Sequence, residues 1–177
     1  CSKDILAASR IARRLTSAGF AVLRFDFTGL GQSEGDFANT NFSSNIQELL
    51  AAARYMDAEH AAPALLVGHS LGGAAVIAAA GNLPSVKAVA TIGAPADANH
   101  VTHQFAEMVD AIKRDGRAEV SLSGRSFTIK KQFLDDIAGH ALEEAAADLR
   151  RPLLILHSPV DQVVGIDNAS RLFVAAK

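Results

Sequence analysis

Ala64-Leu65-Leu66-Val67-Gly68-His69-Ser70-Leu71-Gly72-Gly73 decides the fold. Its start is a short, unbroken apolar run of the kind that forms a buried strand. The run leads directly into Gly-x-Ser-x-Gly, and an Ala-rich helical pattern follows from Ala74. Strand, glycine-flanked serine and helix together make a nucleophile elbow, with Ser70 on a strained turn and its hydroxyl projecting above the sheet end. Side chains at Gly68 and Gly72 are expected to collide across that turn. A serine hydroxyl is a weak nucleophile unless a base removes its proton. The elbow therefore demands an imidazole, and a carboxylate to orient it, later in the chain.

Outward from the elbow, strand and helix alternate. Apolar residues at helical spacing (Ile5, Leu6, Ile11, Leu15) predict a helix from Ser2 to a stop at Gly19. Strands are predicted at 20–26, 64–69, 86–92 and 152–157, with further helices at 45–60, 71–82 and 167–177. The strands are continuous apolar runs, as in a mostly parallel sheet covered by helices on both faces, so the fold class is α/β. Between Ala98 and Arg150 the charge density rises and the rhythm breaks. There a helix at 101–114, a hairpin at 118–130 turning at Ser123-Gly124, and a helix at 132–149 predict a small cap. The domain reading is thus a core of 1–97 and 151–177 with a cap insertion at 98–150.

Composition narrows the function. The 177 residues suffice for one domain with a substantial core. A net charge of −2 shows no basic excess, which argues against nucleic acid or an anionic membrane as partner. No apolar run approaches the roughly 18 residues of a membrane span, and no signal-peptide pattern is visible. One cysteine excludes an internal disulfide and fits a reducing cytoplasm, the expected location. The start at Cys1 rather than Met leads to the expectation of a fragment, an excised piece or a processed protein.

Three stretches resemble the α/β-hydrolase superfamily. Phe25-Asp26-Phe27-Thr28-Gly29-Leu30-Gly31-Gln32-Ser33 is similar to the loop after that family's fourth strand. Gly68 to Gly73 is similar to its elbow. Leu156-His157-Ser158-Pro159-Val160-Asp161-Gln162-Val163-Val164 is similar to its His-Gly-x-x-Asp-x-x-Val stretch, with Ser158 in place of the usual Gly. The Cys-Ser-Lys-Asp start and Phe-Thr-Gly-Leu-Gly also resemble bacterial hydrolase domains, some of them fused to an OsmC-like domain. The resemblance implies a serine hydrolase of a small or medium acyl ester or thioester, working without metal or organic cofactor. Ser70 is the implied nucleophile, Asp161 the acid, and the Leu71 N–H half of the oxyanion hole. In the family the histidine follows the acid, and none follows Asp161 in this sequence. The second oxyanion donor should precede the first helix. The expectation is therefore a chain cut at both ends and inactive by itself, its catalytic histidine lying elsewhere.

Other residues compete for these roles. Asp97 is the rival acid. His69 occupies the variable position of the elbow and reads as structural, and His157 as a local hydrogen-bonding residue at a strand end. His100, His103 and His140 belong to the cap, and the pair at 100 and 103 is a weak metal signal without a carboxylate partner. Asp26 is expected to order its loop through backbone hydrogen bonds. Gly29, Gly31 and Gly35 lack the Lys-Ser/Thr of a phosphate-binding loop. Cys1 as an N-terminal nucleophile does not suit an α/β chain. Two rival functions share the visible residues: a non-catalytic binding module on the hydrolase fold, and a cofactor-free haloperoxidase.

Overall fold

The computed structural model describes residues 2–122 and 124–176. Cys1, Ser123 at the expected hairpin turn, and Lys177 at the end of the expected closing helix lie outside the described residues. The chain divides into two compact units, Cys1–Thr40 and Asn41–Lys177.

In the first unit, α1 (Leu6–Ser17) ends before Gly19, which takes φ +90. The predicted strand at 20–26 forms no β-ladder. Its apolar composition favours an extended chain, but a strand is completed by a partner. Among the described residues this unit holds no second strand to supply one. The loop that follows is ordered by Asp26. Its carboxylate accepts from the Lys3 N–H at 2.5 Å, the Lys3 ammonium at 2.9 Å and the Gln32 N–H at 3.1 Å. Burial pushes the Asp26 carboxyl up, but the bonds from Lys3 and Gln32 outweigh that and hold it below the usual carboxylate range. Gly31, at φ +55, lets the chain close over this carboxylate, because a Cβ there would lie 2.1 Å from Asp26 Oδ2.

The second unit opens with α2 (Phe42–Glu59), started by a capping box in which the Asn41 and Ser44 side chains satisfy each other's backbone N–H groups. Then come β1 (Leu65–His69), α3 (Leu71–Ala80) and β2 (Ala88–Ile92), close to the predicted ranges. The segment predicted as one helix at 101–114 divides into a 3₁₀ stretch (Ala98–Phe105) and α4 (Ala106–Asp115). The cause is local competition: Asp97 accepts from the Asn99 N–H, and the Thr102 hydroxyl donates to the Asn99 carbonyl. The hairpin forms from β3 (Arg117–Leu122) and β4 (Arg125–Lys130), paired antiparallel from Arg117↔Lys130 to Leu122↔Arg125. The helix predicted at 132–149 is two, α5 (Lys131–Ile137) and α6 (Leu142–Ala147), parted around Gly139. Glycine is a poor helix former, and its N–H turns back to the Asp136 carbonyl at 3.0 Å. Finally β5 (Leu153–Leu156) leads to α7 (Asp167–Ala175).

The strands β1, β2 and β5 form a parallel sheet in the order β1-β2-β5. On one face Leu66, Val89, Leu153 and Ile155 meet Val76, Ile77, Ala146, Leu149 and Leu172 in a single apolar cluster. Burying each large side chain there contributes about 1.5–3 kcal/mol. Alternation puts Leu65, Val67, Leu154 and Leu156 on the other face, where they stay 37–57% exposed. The sequence predicts strands buried on both faces; these four side chains are partly exposed, while Ala90 on the same face is buried.

The register sets the functional edge. His69 pairs with Ile92, and Ile92 with Leu156, so all three strands end level at their carboxyl ends. In open parallel sheets that edge is where ligands bind.

Candidate active site

Ser70 stands immediately beyond β1, at φ 53 and ψ −129, as the N-cap of α3. Only Arg150 shares a positive φ with it among the described non-glycine residues. Such a conformation costs on the order of 1–3 kcal/mol and persists where its surroundings fix it. Here the Ser70 N–H donates to the Ile92 carbonyl at 2.9 Å, and the Ser70 carbonyl accepts from Gly73 at 2.8 Å. The turn is therefore clamped to β2 on one side and to the first turn of α3 on the other. Leu71 is the first residue of α3. Its N–H has no acceptor within the helix and lies at the positive end of the helix dipole, as an oxyanion donor requires.

The glycines around the turn differ from expectation at one position. A Cβ on Gly68 would lie 2.2 Å from the Gly72 carbonyl oxygen, so Gly68 is sterically required. Gly72 has open space around its Cβ position. The second crowded glycine is Gly73, whose Cβ would meet that of Ala94 at 2.5 Å. The severest clash arises where the start of α3 crosses the chain leaving β2, and a tighter than usual contact, 3.3 Å, falls within the turn on the Gly68 carbonyl oxygen.

Asp161 follows β5 on the same sheet edge. Its Oδ1 accepts from the Val163 N–H at 2.9 Å and the Val164 N–H at 3.0 Å. These two bonds, Val164's first, hold its carboxyl below the usual range against an opposing desolvation, with His157 and His69 adding to the lowering. With Oδ1 committed, Oδ2 remains for a further donor. It lies 3.3 Å from where a Cβ on Gly93 would stand, directly beyond β2. Ser70 and Asp161 thus flank the end of the central strand. A nucleophile and an acid are placed so in hydrolytic triads.

The histidines fall as follows. His157 donates Nε2–H to the Val164 carbonyl at 2.7 Å, and its side chain is 2% exposed. It stands 3.9 Å from Asp161 Oδ2, too far for a hydrogen bond. This is the local strand-end role expected of it. Loss of hydration lowers the pKa of His69, with the charge of Asp161 opposing. His140 Nε2 meets the Ser43 hydroxyl at 3.0 Å, and its ring stands edge-on to Phe42. His100 and His103 have ring centroids 4.9 Å apart, and His100 Nε2 reaches the Val163 carbonyl at 2.9 Å. Asp97, the rival acid, is occupied as the cap of the 3₁₀ stretch. Among the described residues no cluster of three or more His, Cys, Asp or Glu could hold a metal. Nor is any helix long and apolar enough to cross a membrane.

Asn168 supports the site without having been singled out in the sequence. It is 1% exposed; its Oδ1 accepts from the Ala96 N–H at 3.0 Å and its Nδ2 donates to the Gly165 carbonyl at 3.0 Å. It ties the chain leaving β2 to the end of the Asp161 loop. Its spacing of four from Leu172, on the apolar side of α7, was the available signal.

Comparison with known proteins identifies the family. The family model described as serine aminopeptidase, S33, matches residues 4–134. The mitochondrial palmitoyl-protein thioesterase ABHD10 of Rattus norvegicus is 31% identical over 157 residues, which cover 84% of this chain and 51% of that protein. Its Homo sapiens counterpart is 26% identical over 155 residues, covering 84% and 49%. The chain thus spans about half the length of the curated relatives it matches. Among solved structures, the esterase domain of a Rhodothermus marinus protein is 51% identical with a TM-score of 0.76, covering 100% of this chain and 68% of that one. Mouse ABHD10 is 25% identical with a TM-score of 0.80, covering 99% and 72%. On the match over most of its residues, the chain belongs to the serine aminopeptidase S33 family of the α/β-hydrolase superfamily.

Proposed function

We propose that this chain carries the nucleophile and acid of a serine hydrolase that cleaves small or medium acyl esters or thioesters through an acyl-enzyme. The observation that carries the reading is the clamped Ser70 turn, level with an Asp161 carboxylate that has one oxygen fixed and the other free. Ser70 Oγ attacks the acyl carbonyl as a base takes its proton. The oxyanion forms against the Leu71 N–H, and the alcohol or thiol leaves with the proton returned by the base. Water then repeats the sequence on the acyl-Ser70 ester and releases the acid.

His157 and His100 are disfavoured as that base, because each already donates Nε2–H to a backbone carbonyl. Within the segment 98–150 the hairpin β3–β4 and the helical stretch before it are the proposed cap, since Ala146 and Leu149 at its end pack in the core cluster. An ester or thioester is favoured over a peptide by the esterase domain at 51% identity and the thioesterase relatives.

Substrate competition tests the reading. The full-length protein is offered p-nitrophenyl butyrate, butyryl-N-acetylcysteamine and alanine p-nitroanilide. The oxygen or thio ester should be turned over at least about 100-fold more efficiently than the amide, the scale on which binding-site contacts discriminate. Preference for the alanine amide would make the protein an aminopeptidase and overturn the proposal.

A further inference from the structure

His100 lies far from Asp161 in sequence yet acts on the same peptide group. The Asp97 carboxylate accepts from the Asn99 N–H, and the Asp97 carbonyl accepts from the His100 N–H at 3.0 Å. This turn fixes the backbone of His100 just beyond β2. Its Nε2 then stands 2.9 Å from the Val163 carbonyl oxygen. A carbonyl can only accept, so Nε2 carries the hydrogen.

The carbonyl of Val163 and the N–H of Val164 belong to one planar peptide unit. That N–H is the one that donates to Asp161 Oδ1 at 3.0 Å. A relay of hydrogen bonds therefore runs from the imidazole through the peptide to the carboxylate. A donor on the carbonyl oxygen polarises the amide and strengthens its N–H as a donor, while fixing the plane in which it points. The carbonyl of the next peptide unit also accepts from an imidazole, that of His157 on Val164 at 2.7 Å.

We propose that His100 is a positioning residue for the acid Asp161, acting through the Val163–Val164 peptide and so coupling the first turn after β2 to the catalytic loop. The proposal rests on the reading of Asp161 as the catalytic acid. It gives Asp97 a task as well, since that residue sets the turn from which His100 reaches across.

The test uses the full-length protein with His100→Leu and His100→Gln. The glutamine amide places an N–H where Nε2 stands; leucine fills the space without a donor. Two readouts are taken: the titration of the Asp161 carboxyl by carbon NMR, and kcat and KM for p-nitrophenyl butyrate. In the leucine variant the Asp161 pKa should move up toward the ordinary carboxylate value. Its kcat should fall about tenfold with KM within about twofold, as expected for a loosened rather than displaced catalytic group. The glutamine variant should restore both. An unmoved Asp161 titration in the leucine variant would overturn the relay whatever the activity. A moved titration with unchanged kcat would instead show that Asp161 is not the acid, and the positioning role would fall with that reading. Equal losses in both variants would assign the effect to ring packing and overturn the proposal.

Discussion

Replacing Ser70 with alanine should lower kcat/KM of the full-length protein toward a short acyl ester by at least about 10⁴-fold. A nucleophile that acts with its base as one unit cannot be removed by halves, so most of the rate goes with it. The remainder comes from the oxyanion donor at Leu71 and from substrate binding. The fold should survive, since the substitution keeps the Ser70 N–H bond to Ile92 and the positive φ that the turn already imposes. Near-wild-type turnover in a folded Ser70→Ala protein would remove Ser70 from the chemistry. Steady-state kinetics beside a thermal melt give both halves of the answer.

Asp161→Asn carries the second large effect, a fall in kcat of about 10³–10⁴-fold with substrate binding little changed. The amide is nearly the same shape, and its oxygen can still accept from Val163 and Val164. What it loses is the charge that stabilises a protonated imidazole, and an amide N–H at the free position favours the wrong tautomer of the base. The same substitution changes the pH dependence of stability. The folded pKa of Asp161 lies below its unfolded value, so its contribution is present above the unfolded pKa and lost as pH falls through the folded one. The asparagine variant should lack that acid-side loss. Should Asp97→Asn instead abolish activity while Asp161→Asn leaves it intact, the acid would be misassigned.

The parts of this site written locally could be read from sequence. Gly68-His69-Ser70 follows an apolar run and precedes an Ala-rich one, so strand, turn and helix are all fixed by neighbours within a few residues. The place of Asp161, just past the apolar stretch of β5, was legible for the same reason. The illegible parts depend on partners distant in the chain. Gly73 is crowded most by Ala94, from the chain beyond β2, while Gly72 has open space, so the second required glycine is Gly73 and not Gly72. Residues 20–26 have the composition of a strand, yet a ladder needs a second strand that composition cannot provide. The helix expected through 132–149 spans Gly139, its only glycine, and the chain breaks there. His100 looked like half of a weak metal pair. Its contact with Val163, 63 positions away, gives it another role.

The most direct test is the site of covalent modification by a fluorophosphonate, which mimics the acyl group at the moment of attack. The full-length protein is treated with the probe, digested and mapped by mass spectrometry. The adduct should lie on Ser70, form within minutes, and vanish in Ser70→Ala while persisting, more slowly, in Asp161→Asn. A folded, full-length protein that stays unmodified, or that carries the adduct on any other residue, would contradict the assignment of Ser70 as nucleophile.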